Sequence, residues 1–294
     1  MNSRTFMVFV AGLLALPALA DQDVDRTLEA SPDGTVEISN VAGSIEVAGW
    51  SQSSVRVQGT LGDDVEALIF ERDGDEILIK VKVPRNHGRD IASELIINVP
   101  EQSALDVSAV SADIDVNGVS GEQSLATVSG DVVTQAVASD VEAASVSGDV
   151  EVSGVGEDAE TEAATVSGDV TLSGLMGNVE AESVSGDVAV LNGSFERAYL
   201  ESVNGDLVYK AELRSGGRLG MESVNGTVEV EFTNEVSARF DIETFNGSIK
   251  NCFGPKPERT SRYSPGLELS FTQGDGDGRV EIETLNGSVR ICKQ

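Results

Sequence analysis

Apolar and polar residues alternate with period two through most of the chain, and the alternation is reset again and again at one short motif. Val280, Ile282 and Thr284 lie on one side of such a run with Glu281 and Glu283 on the other, and Val289 and Ile291 resume it beyond Asn286-Gly287-Ser288. Period two with one apolar side predicts half-buried β-strands. The motif is an apolar residue, Ser or Asn, Gly, a small polar or acidic residue, and an apolar residue. It reads Val128-Ser129-Gly130-Asp131-Val132 and returns at Gly148, Gly168 and Gly186, then as Val203-Asn204-Gly205-Asp206-Leu207, and again at Gly226, Gly247 and Gly287. A degenerate copy, Val110-Ser111-Ala112-Asp113-Ile114, precedes these, and Val41-Ala42-Gly43-Ser44-Ile45 lies far upstream. From Ala112 to Gly247 the spacing is 18 to 21 residues, room for two short strands and two turns. The phase slips by one between Thr284 and Leu285, and between Thr244 and Phe245, so the chain must bend or bulge there. Ser-Gly and Asn-Gly are expected to supply positive backbone angles at these corners.

One repeat cannot bury its apolar side alone, whereas stacking neighbours at about 4.8 Å builds a continuous narrow core. The expected fold is all-β: a β-solenoid of 18–21-residue repeats over residues 106–294, preceded by an irregular N-terminal β cap at 21–105. Nine copies would make a rod roughly 40 Å long. The core is expected to widen from Ala143, Ala144, Ala163 and Ala164 to Phe232, Phe240, Ile242 and Phe245. The alternative is an antiparallel β-meander of stacked hairpins, since Asn-Gly is also a strong hairpin signal. The two cysteines favour the solenoid. Cys252 and Cys292 each lie five residues after a motif glycine, and equivalent positions of adjacent parallel coils fall within disulfide reach. Their pairing requires residues 253–279 to leave the stack, and Pro255, Pro257 and Pro265 suit such an excursion.

The first twenty residues carry Arg4, an apolar run from Phe6 to Leu16 and Ala18-Leu19-Ala20, which predicts a secretory signal peptide over 1–20. An exported protein, periplasmic or extracellular, follows, with no direct membrane insertion expected. A formal charge of −30, from 50 acidic and 20 basic residues, argues against nucleic acid and anionic membranes as partners.

The residues Gly34-Thr35-Val36-Glu37-Ile38, Gly43-Ser44-Ile45-Glu46-Val47-Ala48-Gly49-Trp50, Leu95-Ile96-Ile97-Asn98-Val99-Pro100 and Glu283-Thr284-Leu285-Asn286-Gly287-Ser288 resemble a family of exported bacterial β-strand-repeat proteins of unknown function labelled "putative adhesin". The resemblance implies a repetitive β architecture and adhesion. It brings no catalytic residues with it.

Candidate chemistry is confined to a few positions. In a parallel stack Asp131, Asp149, Asp169, Asp187 and Asp206 would align as an acidic ladder, whose neighbours repel by about 0.9 kcal/mol even at the dielectric of water. Calcium would relieve this, and so would hydrogen bonds from turn N–H groups, the favoured reading because calcium requires six to eight oxygens. Asp275 and Asp277 in Gly274-Asp275-Gly276-Asp277-Gly278 hint at a calcium loop, but Arg279 stands at the third ligand position, so a hairpin tip is expected. His87 is the only histidine and has no nucleophile motif near it. Trp50 reads as a packing anchor of the cap. The leading expectation is therefore a non-enzymatic interaction or scaffold protein, without cofactor or metal, presenting a regular β surface to an envelope protein or glycan. A carbohydrate-active enzyme on the same fold and a calcium-dependent structural spacer are the alternatives.

Overall fold

The computed structural model describes residues 22–85, 89–261 and 264–293. The chain is a parallel β-solenoid. In the middle of the rod each coil has one strand before the motif glycine and one after it. Val141–Ser147 pairs in parallel with Gln123–Ser129 on one side and Asp158–Ser167 on the other, in register at Ser129, Ser147 and Ser167. Val150–Gly154 does the same between Val132–Ala136 and Val170–Ser173. Alternate side chains point inward and are buried, such as Val141, Ala143, Val150 and Val152, so each coil contributes one layer to a continuous core.

The corners depart from the expected backbone. None of Gly148, Gly168, Gly186, Gly205, Gly226, Gly247 and Gly287 has a left-handed φ. What excludes a side chain there is proximity: a Cβ on Gly148 would lie 2.0 Å from the carbonyl oxygen of Gly130, and one on Gly186 would lie 1.8 Å from that of Gly168. The glycines stack directly on one another along the rod. Positive angles occur at other turns, including Gly118, Gly174, Gly274 and Gly276.

Both ends close out of sequence order. At the start, Thr35–Trp50 is an interior coil, paired in parallel with Ala104–Asn117 on one side and with Glu76–Lys82 and Ser93–Pro100 on the other. Residues 21–105, expected as an irregular cap, thus hold two further coils. The outer one is covered by antiparallel strands: Ala67–Asp73 on Glu76–Lys82, and Ser54–Leu61 on Ser93–Pro100. Gln22–Glu29 pairs antiparallel with Ser54–Leu61.

At the far end the strand Gly278–Asn286 inserts between Leu207–Asn225 and Ala238–Asn246, parallel to both, so the stacking order of the glycines is Gly226, Gly287, Gly247. Spacing alone suggested Gly226, Gly247, Gly287. Of the expected excursion at 253–279, Gly278 and Arg279 are already back within the parallel stack, whereas Leu267–Gln273 lies outside it and runs antiparallel along the outer edge of Ala238–Asn246. That strand shields the last open edge. Cys252 and Cys292 are joined by a disulfide between adjacent coils, with Cα atoms 4.8 Å apart.

The core changes along the rod, with two corrections. Phe195, Tyr209, Phe232 and Phe240 form a buried column with ring centroids about 6 Å apart, continued by Phe271 stacked on Phe240 at 4.5 Å. Phe245, however, points outward, and Ala144 and Ala164 are only half-buried on the outer face. The one-residue phase slip before each corner is what turns Phe245 away from the core.

Candidate functional site

The same slip places an apolar side chain outside in every coil. Val128, Val146, Val166, Val184, Val224, Leu285 and Phe245 follow one another along one edge of the rod, each between 38% and 51% exposed. Val110 begins the row and half-buried Val203 continues it. From Val128 onward a buried Ser or Thr precedes each one, and in most coils it anchors the bend. Thr127, Ser145, Thr165, Ser183 and Ser202 donate to the carbonyl of the residue at the corner of the preceding coil, Ala112, Gly130, Gly148, Gly168 and Gly186 respectively. Single exposed apolar residues are ordinary, but an uninterrupted row is not. The sequence carries the signal in the phase slip, since a one-residue shift at the bend turns the next apolar side chain outward.

Beside this row runs the aspartate ladder. Each carboxylate accepts from the backbone N–H of the equivalent residue one coil on: Asp149 donates to Asp131, Asp169 to Asp149, Asp187 to Asp169 and Asp206 to Asp187, at 2.7–2.9 Å. A hydrogen bond to a charged acceptor contributes about 1.5 kcal/mol or more, which outweighs a mutual repulsion of about 0.9 kcal/mol. Where Thr227 and Ser288 replace aspartate, asparagines one position before the glycine take over. Asn225 donates to Asn204, Asn286 to Asn225 and Asn246 to Asn286, each at 3.0 Å.

A second acidic row lies on the outer face of the pre-corner strands and was not anticipated. Glu182, Glu201, Glu222, Glu283 and Glu243 stand in register on five successive coils. The equivalent positions earlier in the rod are Ala126, Ala144 and Ala164. None of the five glutamates forms an ion pair among the described residues. Glu182 is held above the ordinary glutamate pKa, first by partial burial and then by Glu180, Glu201 and Glu162. The excursion walls part of this row into a cavity of about 310 Å³, lined by Glu201, Glu222, Glu283 and Glu243 and by Val224, Leu285 and Phe245, with Thr260 and Gly266 at the rim.

Other positions singled out in the sequence have structural partners. Asp277 accepts from the hydroxyls of Ser215 and Ser237, which lower its pKa, while Ser237 accepts from the backbone N–H groups of Asp275 and Gly276. The loop is the turn that returns the chain into the stack. Trp50 is half-buried and its indole donates to the carbonyl of Ser54 at 2.7 Å, closing the turn at 51–53. His87 and the expected signal segment at 1–20 lie outside the described residues.

No helix among the described residues is long and apolar enough to cross a membrane. The parallel stacking of the strands makes this an all-β solenoid protein. The chain belongs to the DUF4097 Toastrack family, whose description matches residues 73–292. No curated relative matches it. Among solved structures it is similar to a "putative adhesin" from Parabacteroides distasonis ATCC 8503, at 10% identity and a TM-score of 0.48, covering 92% of this chain and 98% of that one. It is similar also to a "putative adhesin" from Bacteroides fragilis NCTC 9343, at 12% identity, a TM-score of 0.44 and coverages of 93% and 99%. A third is a "putative lipid binding protein" from Parabacteroides distasonis ATCC 8503, at 14% identity, a TM-score of 0.43 and coverages of 92% and 97%.

Proposed function

We propose that this is a non-enzymatic, exported interaction protein whose working part is the long regular edge of the solenoid, set against an envelope protein or glycan. The carrying observation is the outward apolar row from Val110 to Phe245, bordered on one side by the ordered aspartate and asparagine ladders. Exposed apolar surface of this extent costs solubility and is retained where something covers it. Export fits the expected signal segment and the disulfide. Sedimentation with isolated bacterial envelopes tests the reading. The wild-type chain should co-sediment, and the triple variant Val146→Ser, Val166→Ser, Val184→Ser should bind at least fivefold less with unchanged thermal unfolding. Equal binding by both would overturn it.

The carboxylate-lined cavity supports a second reading, a carbohydrate-active enzyme, because glycoside hydrolysis uses paired carboxylates. The geometry is less favourable than the composition. Glu222, Glu283 and Glu243 project from one sheet face in a single row, whereas an acid and a nucleophile must flank the scissile bond. Release of sugar from envelope polysaccharide, abolished by Glu283→Gln, would establish this reading instead.

A further inference from the structure

We propose that the cavity over the C-terminal coils is a docking channel for an extended basic polypeptide segment in which cationic and apolar residues alternate. The proposal rests on the interaction reading above and gives its partner a chemistry.

Charge complementarity is the first argument. Glu182, Glu201, Glu222, Glu283 and Glu243 form a row about 4.8 Å from rung to rung, and among the described residues no basic side chain is paired to it. Neighbouring carboxylates at that spacing repel one another in water, and more strongly in a walled groove of lower dielectric. The aspartate ladder on the same rod resolves this problem with backbone N–H groups, whereas among the described residues the glutamate row accepts only the Tyr199 hydroxyl, at Glu201. Cations supplied from outside would resolve it.

The apolar side of the channel decides which kind of cation. Val224, Leu285 and Phe245 stand two residues after Glu222, Glu283 and Glu243 in the same strands, so the acidic and apolar rows run side by side along the rod. A bare metal ion would neutralise the first row and leave the second in water. A neutral glycan would leave the charge unpaired, and an acidic one would add to it. A strand laid along the channel directs alternate side chains to opposite sides, one set toward the glutamates and the other toward the apolar row. Five rungs span about 19 Å, which about six extended residues cover.

The probe is a synthetic hexapeptide, Lys-Val-Lys-Val-Lys-Val with blocked ends, titrated calorimetrically into the intact mature protein at low salt. Binding should weaken at least tenfold in Glu222→Gln/Glu283→Gln, and at least fivefold in Val224→Ser/Leu285→Ser. The control Glu142→Gln/Glu162→Gln, which removes carboxylates from the middle coils, should bind like wild type. The block isomer Lys-Lys-Lys-Val-Val-Val should bind at least fivefold more weakly than the alternating peptide. Equal affinity for both isomers, equal loss in the control variant, or no binding at all would overturn the proposal. Calcium alone binding stoichiometrically to wild type and displacing the peptide would overturn it too, by making the row a metal site. If envelope sedimentation survives while the peptide fails, only the channel falls; if the peptide binds and sedimentation fails, the wider reading falls.

Discussion

The middle coils and the C-terminal coils share one corner and little else. Around Gly148 and Gly168 the corner is Ser-Gly-Asp, the outer row is alanine and the core is built from residues such as Ala143, Val150, Ala163 and Leu172. Around Gly226 and Gly287 the corner is Asn-Gly-Thr or Asn-Gly-Ser, the outer row is glutamate and the core holds the aromatic column. Both still stack glycine on glycine in the same register. The corner is therefore the device that fixes the coil, and the remaining positions are free to set thickness and surface chemistry.

Breaking the aromatic column should have the largest effect. Phe232→Ala should lower stability by about 3–5 kcal/mol, against about 2 kcal/mol for Val152→Ala in the thin core, as measured by urea unfolding. Equal losses would mean that the two cores do not differ in packing. The disulfide exists only at the thick end. Cys252→Ser/Cys292→Ser should cost up to about 4 kcal/mol in the chain-entropy model, and thiol titration of the unfolded, unreduced protein should find no free thiol. Two free thiols would refute the bridge. The shared corner predicts sameness: Gly148→Ala and Gly287→Ala should each cost about 3 kcal/mol, since both set a Cβ within 2.0 Å of the carbonyl below. A gap of more than about 1 kcal/mol between them would show that the corners are not equivalent.

The smallest effect concerns pH. Glu182 has a folded pKa above its unfolded value of 4.5, so its protonated form is favoured by folding. Its contribution is fully present below pH 4.5 and is lost as pH rises through the folded pKa toward neutrality. Glu182→Gln should raise stability at neutral pH, by less than about 1 kcal/mol because the side chain is largely exposed, and should flatten the pH dependence in that window. A variant less stable than wild type at pH 7 would show that Glu182 is held by favourable contacts.

The period-two pattern and the equivalence of Cys252 and Cys292 made the parallel solenoid legible, because register is a local property that repeats in the sequence. Stacking order is not local. Gly287 between Gly226 and Gly247 satisfies the same spacing and the same cysteine adjacency as the sequential order, and only the antiparallel strand Leu267–Gln273 distinguishes them. The N-terminal coils were hidden for a similar reason: Thr35–Trp50 carries the motif at Gly43, but its neighbour Glu76–Pro100 does not, and their contact spans dozens of residues. The glutamate channel was harder still to see. Carboxylates are abundant throughout, and only the register that aligns Glu222, Glu283 and Glu243 separates a row from a scatter.

The inserted strand Gly278–Asn286 also determines when the molecule can be finished. A chain that emerges N-terminus first can lay down its middle coils one upon another as they appear. That sequence stops at the coil of Gly226, because the next residues to arrive belong one layer further out. Ala238–Asn246 has no edge to join in its native place until the final sixteen or so residues have been delivered beneath it. The rod thus waits, with its thick end open, for its own tail, and a chain cut short before residue 278 lacks the layer on which the outermost coil rests.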